Sequence, residues 1–218
     1  MKIAIVTGTA RGIGRGIVIG LAEQGTKVVF NYTSPSSAAA AEDLCHEVSK
    51  IGSRALSIKG DITDQQTHRA LVKIALQIFD VQGLDILVNN AGAGDNKLLE
   101  DVTIAHHHHL MDAFLPFVNP GGRIINVSSI SARGGYATQS VYAASKAAVE
   151  GLTKVWATEL GPKYNITVNC MNPGAVDTDM YRAAGEVHLA RMEAENRKTP
   201  ARWVTGDTVC ANGGMLFL

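Results

Sequence analysis

Short apolar runs alternate along the chain with longer stretches in which apolar residues recur every three or four positions. The short runs predict strands at residues 3–7, 27–32, 55–59, 84–89, 123–127 and 166–170, with a seventh at 208–211. The longer stretches predict helices directly after the first strand and at residues 38–51, 65–79 and 142–160. Strands that alternate with crossover helices form a parallel sheet covered on both faces. The pattern predicts an α/β fold with a doubly wound parallel sheet, whose ligands bind beyond the carboxyl ends of the strands.

Composition and charge narrow the class of protein. The chain has 218 residues, of which 46% are hydrophobic, so we expect one globular domain over residues 1–218. Twenty basic residues balance twenty acidic ones, which disfavours nucleic acid or anionic lipid as a partner. Three cysteines lie far apart without a CxxC pair, as is typical of reduced cytoplasmic thiols. With neither a signal peptide nor a long apolar run, we expect a soluble intracellular protein that does not contact membranes.

A glycine-rich turn joins the first strand to the first helix. It reads Thr7-Gly8-Thr9-Ala10-Arg11-Gly12-Ile13-Gly14. The G-x-x-x-G-x-G spacing differs from the G-x-G-x-x-G fingerprint, and the Lys-Ser/Thr pair of an ATP-binding loop is absent, which disfavours phosphoryl transfer. Backbone N–H groups at a helix N-terminus bind anions, so the turn predicts a dinucleotide site. The alternative is that the glycines only permit a tight turn.

Two further motifs carry candidate chemistry. Tyr142 and Lys146 are four residues apart on a predicted helix, so they share one face. A nearby ammonium favours a phenolate, which makes the tyrosine a usable proton donor and acceptor. Ser128 and Ser129 end the fifth predicted strand, where a hydroxyl can hold a carbonyl oxygen. The alternatives are an ordinary amphipathic pair and serines that simply end a strand.

Taken in chain order, these motifs resemble the short-chain dehydrogenase/reductase family. The resemblance includes Asn-Asn-Ala-Gly at 89–92 and Pro-Gly at 173–174, and it extends over nearly the whole chain. It implies a single Rossmann-type domain, usually assembled into tetramers, that transfers hydride between NAD(P) and a carbonyl or alcohol. It also implies that Tyr142 is the general acid/base and that Lys146 binds the nicotinamide ribose and assists the tyrosine. Ser129 would orient the substrate oxygen.

The resemblance also assigns cofactor contacts outside this trio. In the glycine turn they are Gly8, Arg11, Gly12, Ile13 and Gly14. After the third and fourth strands they are Asp61 and Ile62, against the adenine, and Asn89, Ala91 and Gly92, which flank the cofactor. After the sixth strand they are Pro173, Gly174, Val176 and Thr178, in the loop that meets the carboxamide.

The end of the second strand bears on the choice between NADP and NAD. A carboxylate there would bind the adenosine ribose 2′-OH and repel a 2′-phosphate, but the strand ends in Asn31, Tyr32, Thr33 and Ser34. We therefore predict NADP, with NAD as the alternative, and assign Asn31, Thr33 and Ser34 to this end of the cofactor. Arg11 would bind the extra phosphate, since its forked donors suit that group.

The chain departs from the family pattern in two places. Family members carry a proton-relay asparagine in the helix before the serine strand, but here that helix is reduced to a remnant around residues 105–117. The nearest asparagine is Asn119, beside Pro120 and Gly121 in a predicted turn, so no relay residue is assigned. A second shortening follows Pro200, and about thirty residues are absent in total, judged by the resemblance and by what a crossover helix needs.

Four consecutive histidines at 106–109 invite a metal interpretation. Successive helical residues point about 100° apart, so four in a row do not converge on one ion. We predict no metal site.

The sequence thus predicts an NADP-dependent ketone reductase or alcohol dehydrogenase that forms a homo-oligomer, a tetramer or a dimer. A substrate loop is expected at about residues 175–200, where nothing distinctive indicates the small-molecule substrate. One alternative is an NAD-dependent sugar or steroid alcohol dehydrogenase. Another is a nonreactive dinucleotide-binding regulator, which a genuine loss of the relay asparagine would favour.

Overall fold

The computed structural model describes residues 1–92, 109–136, 138–183, 186 and 189–190. The strands in this part of the chain are β1 (Ile3–Val6), β2 (Lys27–Tyr32), β3 (Ala55–Lys59), β4 (Leu84–Asn89), β5 (Val118–Val127) and β6 (Thr167–Met171). The α-helices are α1 (Gly12–Glu23), α2 (Ala38–Lys50), α3 (Gln65–Phe79), α4 (His109–Phe114), α5 (Ser140–Tyr164) and α6 (Asp179–Arg182). Short 3-10 helices occupy Pro35–Ser37, Leu115–Phe117 and Ile130–Ala132.

The strands form one parallel sheet in the order β3-β2-β1-β4-β5-β6. The order reverses between β1 and β4, which opens a crevice beyond their carboxyl ends. The predicted α/β fold with a doubly wound sheet is confirmed. The seventh strand, predicted at 208–211, lies outside the described residues, as do the histidines at 106–108 and the shortened segment around 199–203.

Apolar layers cover both faces of the sheet. Along β1, Ile3 and Ile5 belong to the cluster that includes α3 and α4, whereas Ala4 and Val6 belong to the cluster formed with α1 and α2. All four side chains are at most 1% exposed. A parallel strand buried on both faces is apolar at every position, which explains why this run shows no polar alternation.

Helix α4 contributes to one of these layers. Its residues Leu110, Met111 and Phe114 lie in the same cluster as Leu87 of β4 and Ile124 of β5. Leu87 and Ile124 have no exposed surface. The part of α4 that the structure describes therefore helps to cover the centre of the sheet on this face.

Strand β5 begins at Val118, five residues before the predicted start, so the prediction that Asn119 lies in a turn is wrong. Asn119 Nδ2 donates a hydrogen bond of 3.0 Å to Asp85 Oδ1. A shift of register between Leu84 and Ile86 accommodates the added length. Asn119 consequently lies at the end of the sheet opposite the carboxyl-end crevice. Strand β6 is displaced from its predicted position by a single residue.

Helix α5 is the longest helix in the described residues, with 25 residues. It carries charged side chains along its length, among them Lys146, Glu150, Lys154 and Glu159. Across the described parts of the chain, no helix combines the length and the apolar character that crossing a membrane requires.

Leu87→Ala is expected to lower the free energy of unfolding by about 2–5 kcal/mol, because it leaves a cavity in the centre of the sheet. The matched control is Ile78→Ala on α3, which truncates a side chain that is 45% exposed. It should cost about 1 kcal/mol or less. Urea unfolding followed by circular dichroism measures both variants, and equal losses would contradict the central position of Leu87.

Candidate active site

The glycine turn between β1 and α1 leaves the start of the helix open to a ligand. Gly8 and Gly12 have φ angles of +68° and +60°, which side chains rarely adopt. A Cβ on Gly14 would lie 2.4 Å from Gly8 O, so the turn is also tightly packed. Arg11, the N-cap residue of α1, makes no side-chain capping bond, and the first turn carries no acidic residue. The first N–H groups of the helix therefore suit an anion such as the cofactor pyrophosphate.

The loop after β4 is bonded directly to this turn. Thr7 Oγ1 accepts hydrogen bonds from the N–H groups of Asn90 at 3.0 Å and Ala91 at 2.9 Å. Asn90 Nδ2 donates in return to Thr7 O at 2.8 Å and Gly8 O at 2.9 Å. Sequence reasoning assigned no role to Thr7 or Asn90, although both stand inside the motifs that it singled out.

The Asn31 side chain hydrogen-bonds the backbone of the glycine turn. Its side chain is buried, with Oδ1 accepting from Gly8 N–H at 2.9 Å and Nδ2 donating to Gly60 O at 2.9 Å. The hydrogen-bonding groups of Asn31 are thus satisfied within the protein, whereas Thr33 is exposed and Ser34 is half-buried. Of the three residues assigned to this end of the cofactor, Thr33 and Ser34 are the ones that solvent reaches.

The loop after β3 presents Asp61 and Ile62. Asp61 is exposed, and its Oδ1 accepts hydrogen bonds of 2.8 Å from both the N–H and the hydroxyl of Thr63. These bonds stabilise the carboxylate and lower the pKa of Asp61. Ile62 is partly buried and packs against the cluster that includes α3.

Tyr142 and Lys146 lie on one face of α5, as their spacing predicts. Lys146 Nζ is 5.7 Å from the centre of the Tyr142 ring and donates a hydrogen bond of 2.8 Å to Val127 O at the end of β5. A Cβ on Gly92 would come within 3.5 Å of Nζ, so the loop after β4 faces the same amine. Burial lowers the pKa of Lys146, because desolvation disfavours the ammonium, and the charge of an ionised Cys170 would oppose this shift.

The two serines after β5 take different positions. Ser128 Oγ donates to Lys146 O at 3.0 Å and so ties the strand to α5. Ser129 is 8% exposed, and its Oγ accepts a hydrogen bond of 3.1 Å from Ser131 N–H as the N-cap of the 3-10 helix Ile130–Ala132. This bond orients the Ser129 hydroxyl at the carboxyl edge of the sheet.

The loop after β6 lies against both the serine loop and the glycine turn. Pro173 O accepts from Ile130 N–H at 3.2 Å. Thr178 caps α6, and a Cβ on Gly12 would lie 3.2 Å from Thr178 Cγ2. Arg11 is 3.7 Å from Asp179 in an exposed ion pair. Gly174 and Val176 lie between these contacts, and both are exposed.

A cavity of about 70 Å³ joins several of the assigned residues beneath the crevice. Among its lining residues are Ile62, Asn89, Ala91 and Lys146. Asn126, which was not singled out from the sequence, also lines it. Its Oδ1 accepts from Asn89 Nδ2 at 2.8 Å and its Nδ2 donates to Thr153 Oγ1 at 2.9 Å. In the described residues, no group of three His, Cys, Asp or Glu side chains is placed to hold a metal ion.

Comparison with known proteins identifies the family. The model of the short chain dehydrogenase family matches residues 2–188. The chain is 40% identical to the short-chain dehydrogenase/reductase FrzI of Cladobotryum sp, over 99% of this chain and 96% of that protein. It is 42% identical to the hydroxynaphthalene reductase-like protein Arp2 of Metarhizium acridum, over 84% of this chain and 71% of that protein.

A solved structure agrees with the fold and with the use of a nicotinamide cofactor. A short chain dehydrogenase from Burkholderia cenocepacia J2315, in complex with NADP, is 36% identical with a TM-score of 0.76, covering 93% of this chain and 84% of that one. The alignment with FrzI has 252 positions against 218 residues here, so at least 34 positions face gaps in this chain. That number agrees with the shortening inferred from the sequence. The chain belongs to the short-chain dehydrogenase/reductase family of NAD(P)-dependent oxidoreductases.

Proposed function

We propose that the protein transfers hydride between NADP and a ketone or secondary alcohol, with Ser129, Tyr142 and Lys146 as its catalytic residues. The observation that carries the proposal is the position of Lys146. Its amine is held by Val127 O, faces Gly92 and lies 5.7 Å from the Tyr142 ring centre. A cation in this place favours the phenolate that remains when Tyr142 gives up its proton.

In the proposed ketone reduction, Ser129, Tyr142 and Lys146 each have a separate role. The bound cofactor supplies the hydride. Ser129 donates a hydrogen bond to the carbonyl oxygen and orients it, while Tyr142 delivers a proton to the same oxygen. Lys146 contacts the nicotinamide ribose and stabilises the phenolate, and the open start of α1 binds the pyrophosphate. In alcohol oxidation, Tyr142 accepts the proton instead.

The end of β2 and the glycine turn support a preference for NADP over NAD. The residues directly after β2 are Thr33 and Ser34, so no carboxylate stands at the end of this strand. The Arg11 side chain is 66% exposed beside the start of α1. Asp179 is the acid that pairs with Arg11, at 3.7 Å and also well exposed, so a 2′-phosphate with its larger charge can compete for the guanidinium. The NADP complex of the Burkholderia relative supports the same preference.

The curated relatives support reduction of a carbonyl as the physiological direction. Arp2 is named as a hydroxynaphthalene reductase-like protein, which favours a bicyclic aromatic ketone among the substrates to test. The lining of the cavity beside Lys146 includes the apolar side chains of Leu152 and Trp156.

We also propose that one domain spans residues 1–218, with its substrate loop at about 175–200, and that the protein is a cytoplasmic homo-oligomer, a tetramer or a dimer. Cys45 and Cys170 are free, and burial raises the pKa of both thiols. Unreactive, reduced thiols fit a cytoplasmic location.

Tyr142→Phe is expected to lower ketone reduction at least about 10²-fold, because it removes the proton donor. NADPH should bind as before, since the glycine turn is unchanged. The control is Tyr164→Phe at the end of the same helix, which should keep full activity. NADPH oxidation with a panel that includes α-tetralone and cyclohexanone gives the rates, and nicotinamide fluorescence gives the binding. More than a tenth of the activity in Tyr142→Phe would overturn the catalytic assignment.

Arg11→Ala is expected to reduce the ratio of kcat/KM with NADPH to kcat/KM with NADH about 10–100-fold, the value of one charge-assisted hydrogen bond. Arg69→Ala on α3 removes the same charge from an exposed residue that is not among the assigned cofactor contacts, so it should leave the ratio unchanged. Steady-state kinetics with both cofactors provide the comparison. An unchanged ratio in Arg11→Ala would contradict phosphate binding by this residue.

A further inference from the structure

Glu150 lies on α5 one turn after Lys146, and its carboxylate meets side chains from two loops. Arg133 Nε donates to Oε2 at 3.2 Å. Asn172 Nδ2 donates to Oε1, and Ser128 Oγ lies 3.5 Å from the same oxygen. The Glu150 side chain is 16% exposed, so these contacts replace most of its hydration.

The two loops are those that carry proposed site residues. Ser128 immediately precedes Ser129, and Asn172 immediately precedes Pro173. Their backbones are joined as well, since Ser128 N–H donates to Met171 O at 2.8 Å. Ser128 is also bonded to Lys146 O, but Glu150 is a residue of α5 that contacts both the serine loop and the loop after β6.

The contact with the Asn172 amide matters more here than the ion pair with Arg133. Arg133 is 58% exposed, and a pair with such an exposed partner contributes about 0–1 kcal/mol. Asn172 is half-buried, so without Glu150 its amide would lose a charged acceptor in a place that water reaches only partly. The expected consequence is movement of the loops, and misplacement of a reacting group by about 1 Å can cost as much as 10²-fold in rate.

We propose that Glu150 is a positioning residue, which holds Ser129 and the Pro173 loop in register with Tyr142 and Lys146. The proposal rests on the function proposed above. It assigns Glu150 no contact with the substrate or the cofactor.

The kinetic test compares Glu150→Ala and Glu150→Gln with Glu159→Ala and Glu159→Gln, the exposed matched controls on the same helix. Glu150→Ala should lower kcat for ketone reduction about 10–100-fold. NADPH affinity should fall by a smaller factor, because the glycine turn that binds the pyrophosphate is intact and only the carboxamide contact of the Pro173 loop is disturbed. Glu150→Gln should recover most of kcat, because its amide oxygen still accepts from Asn172. The Glu159 variants should match the wild type.

Two results would overturn the proposal. One is a kcat of Glu150→Ala equal to that of Glu159→Ala. The other is a loss of kcat in Glu150→Gln as large as in Glu150→Ala, since the hydrogen-bond acceptor that glutamine retains would then not contribute to the rate. If Glu150→Ala does not fold, Asn172→Ala is measured instead. It should lower kcat by a smaller factor than Glu150→Ala, and kcat should again fall more than NADPH affinity. An unchanged kcat in Asn172→Ala would overturn the proposal.

Hydrogen exchange separates this proposal from the proposed function. In the cofactor-free protein, Glu150→Ala, or Asn172→Ala if that variant is used instead, should speed amide exchange in peptides covering residues 128–133 and 171–175. Exchange in the glycine turn should be unaffected. This readout does not require turnover. A wild-type protein that reduces no ketone would refute the proposed function, whereas unchanged exchange in both peptides would refute the role of Glu150.

Discussion

The backbone contact between Gly8 and Ala91 is the constraint on which the site depends. A Cβ on Gly8 would lie 2.7 Å from Ala91 Cα, so only glycine permits the approach. The hydroxyl of Thr7 reinforces the contact by accepting from the Asn90 and Ala91 N–H groups. Because β1 and β4 are the strands between which the sheet order reverses, this contact brings the start of α1 and the loop facing Lys146 to one edge of the sheet.

Helix α5 supplies the reactive side chains at that edge, at some cost in stability. Lys146 is largely withdrawn from water, and burial of its ammonium lowers its pKa. The bond to Val127 O offsets part of that cost. Groups with perturbed pKa values concentrate in functional sites, and Lys146 fits the role proposed for it. Glu150 and Thr153 extend the same helix face into contacts with the loop after β6 and with Asn126.

Helix α4 lies before β5, in the region where the sequence departs from the family pattern. Phe114 of α4 is fully buried in the same cluster as Leu87 and Ile124, neither of which is exposed. The described part of α4 therefore covers the core on this face of the sheet. Asn119 takes no part in the site, because its amide is bonded to Asp85 at the opposite end of the sheet.

Sequence patterns alone predicted the six strands of the described residues, apart from the start of β5, together with most of the helices, the glycine turn and the shared face of Tyr142 and Lys146. These are local properties that depend on hydrophobic period, glycine conformation and helical spacing. Three hydrogen-bonded pairs are visible only in the folded protein: Asn31 with Gly8, Asn119 with Asp85 and Glu150 with Asn172. Those partners are 23, 34 and 22 residues apart in the chain. The residues around a polar side chain in the sequence do not indicate which distant donor or acceptor will lie beside it in the folded protein.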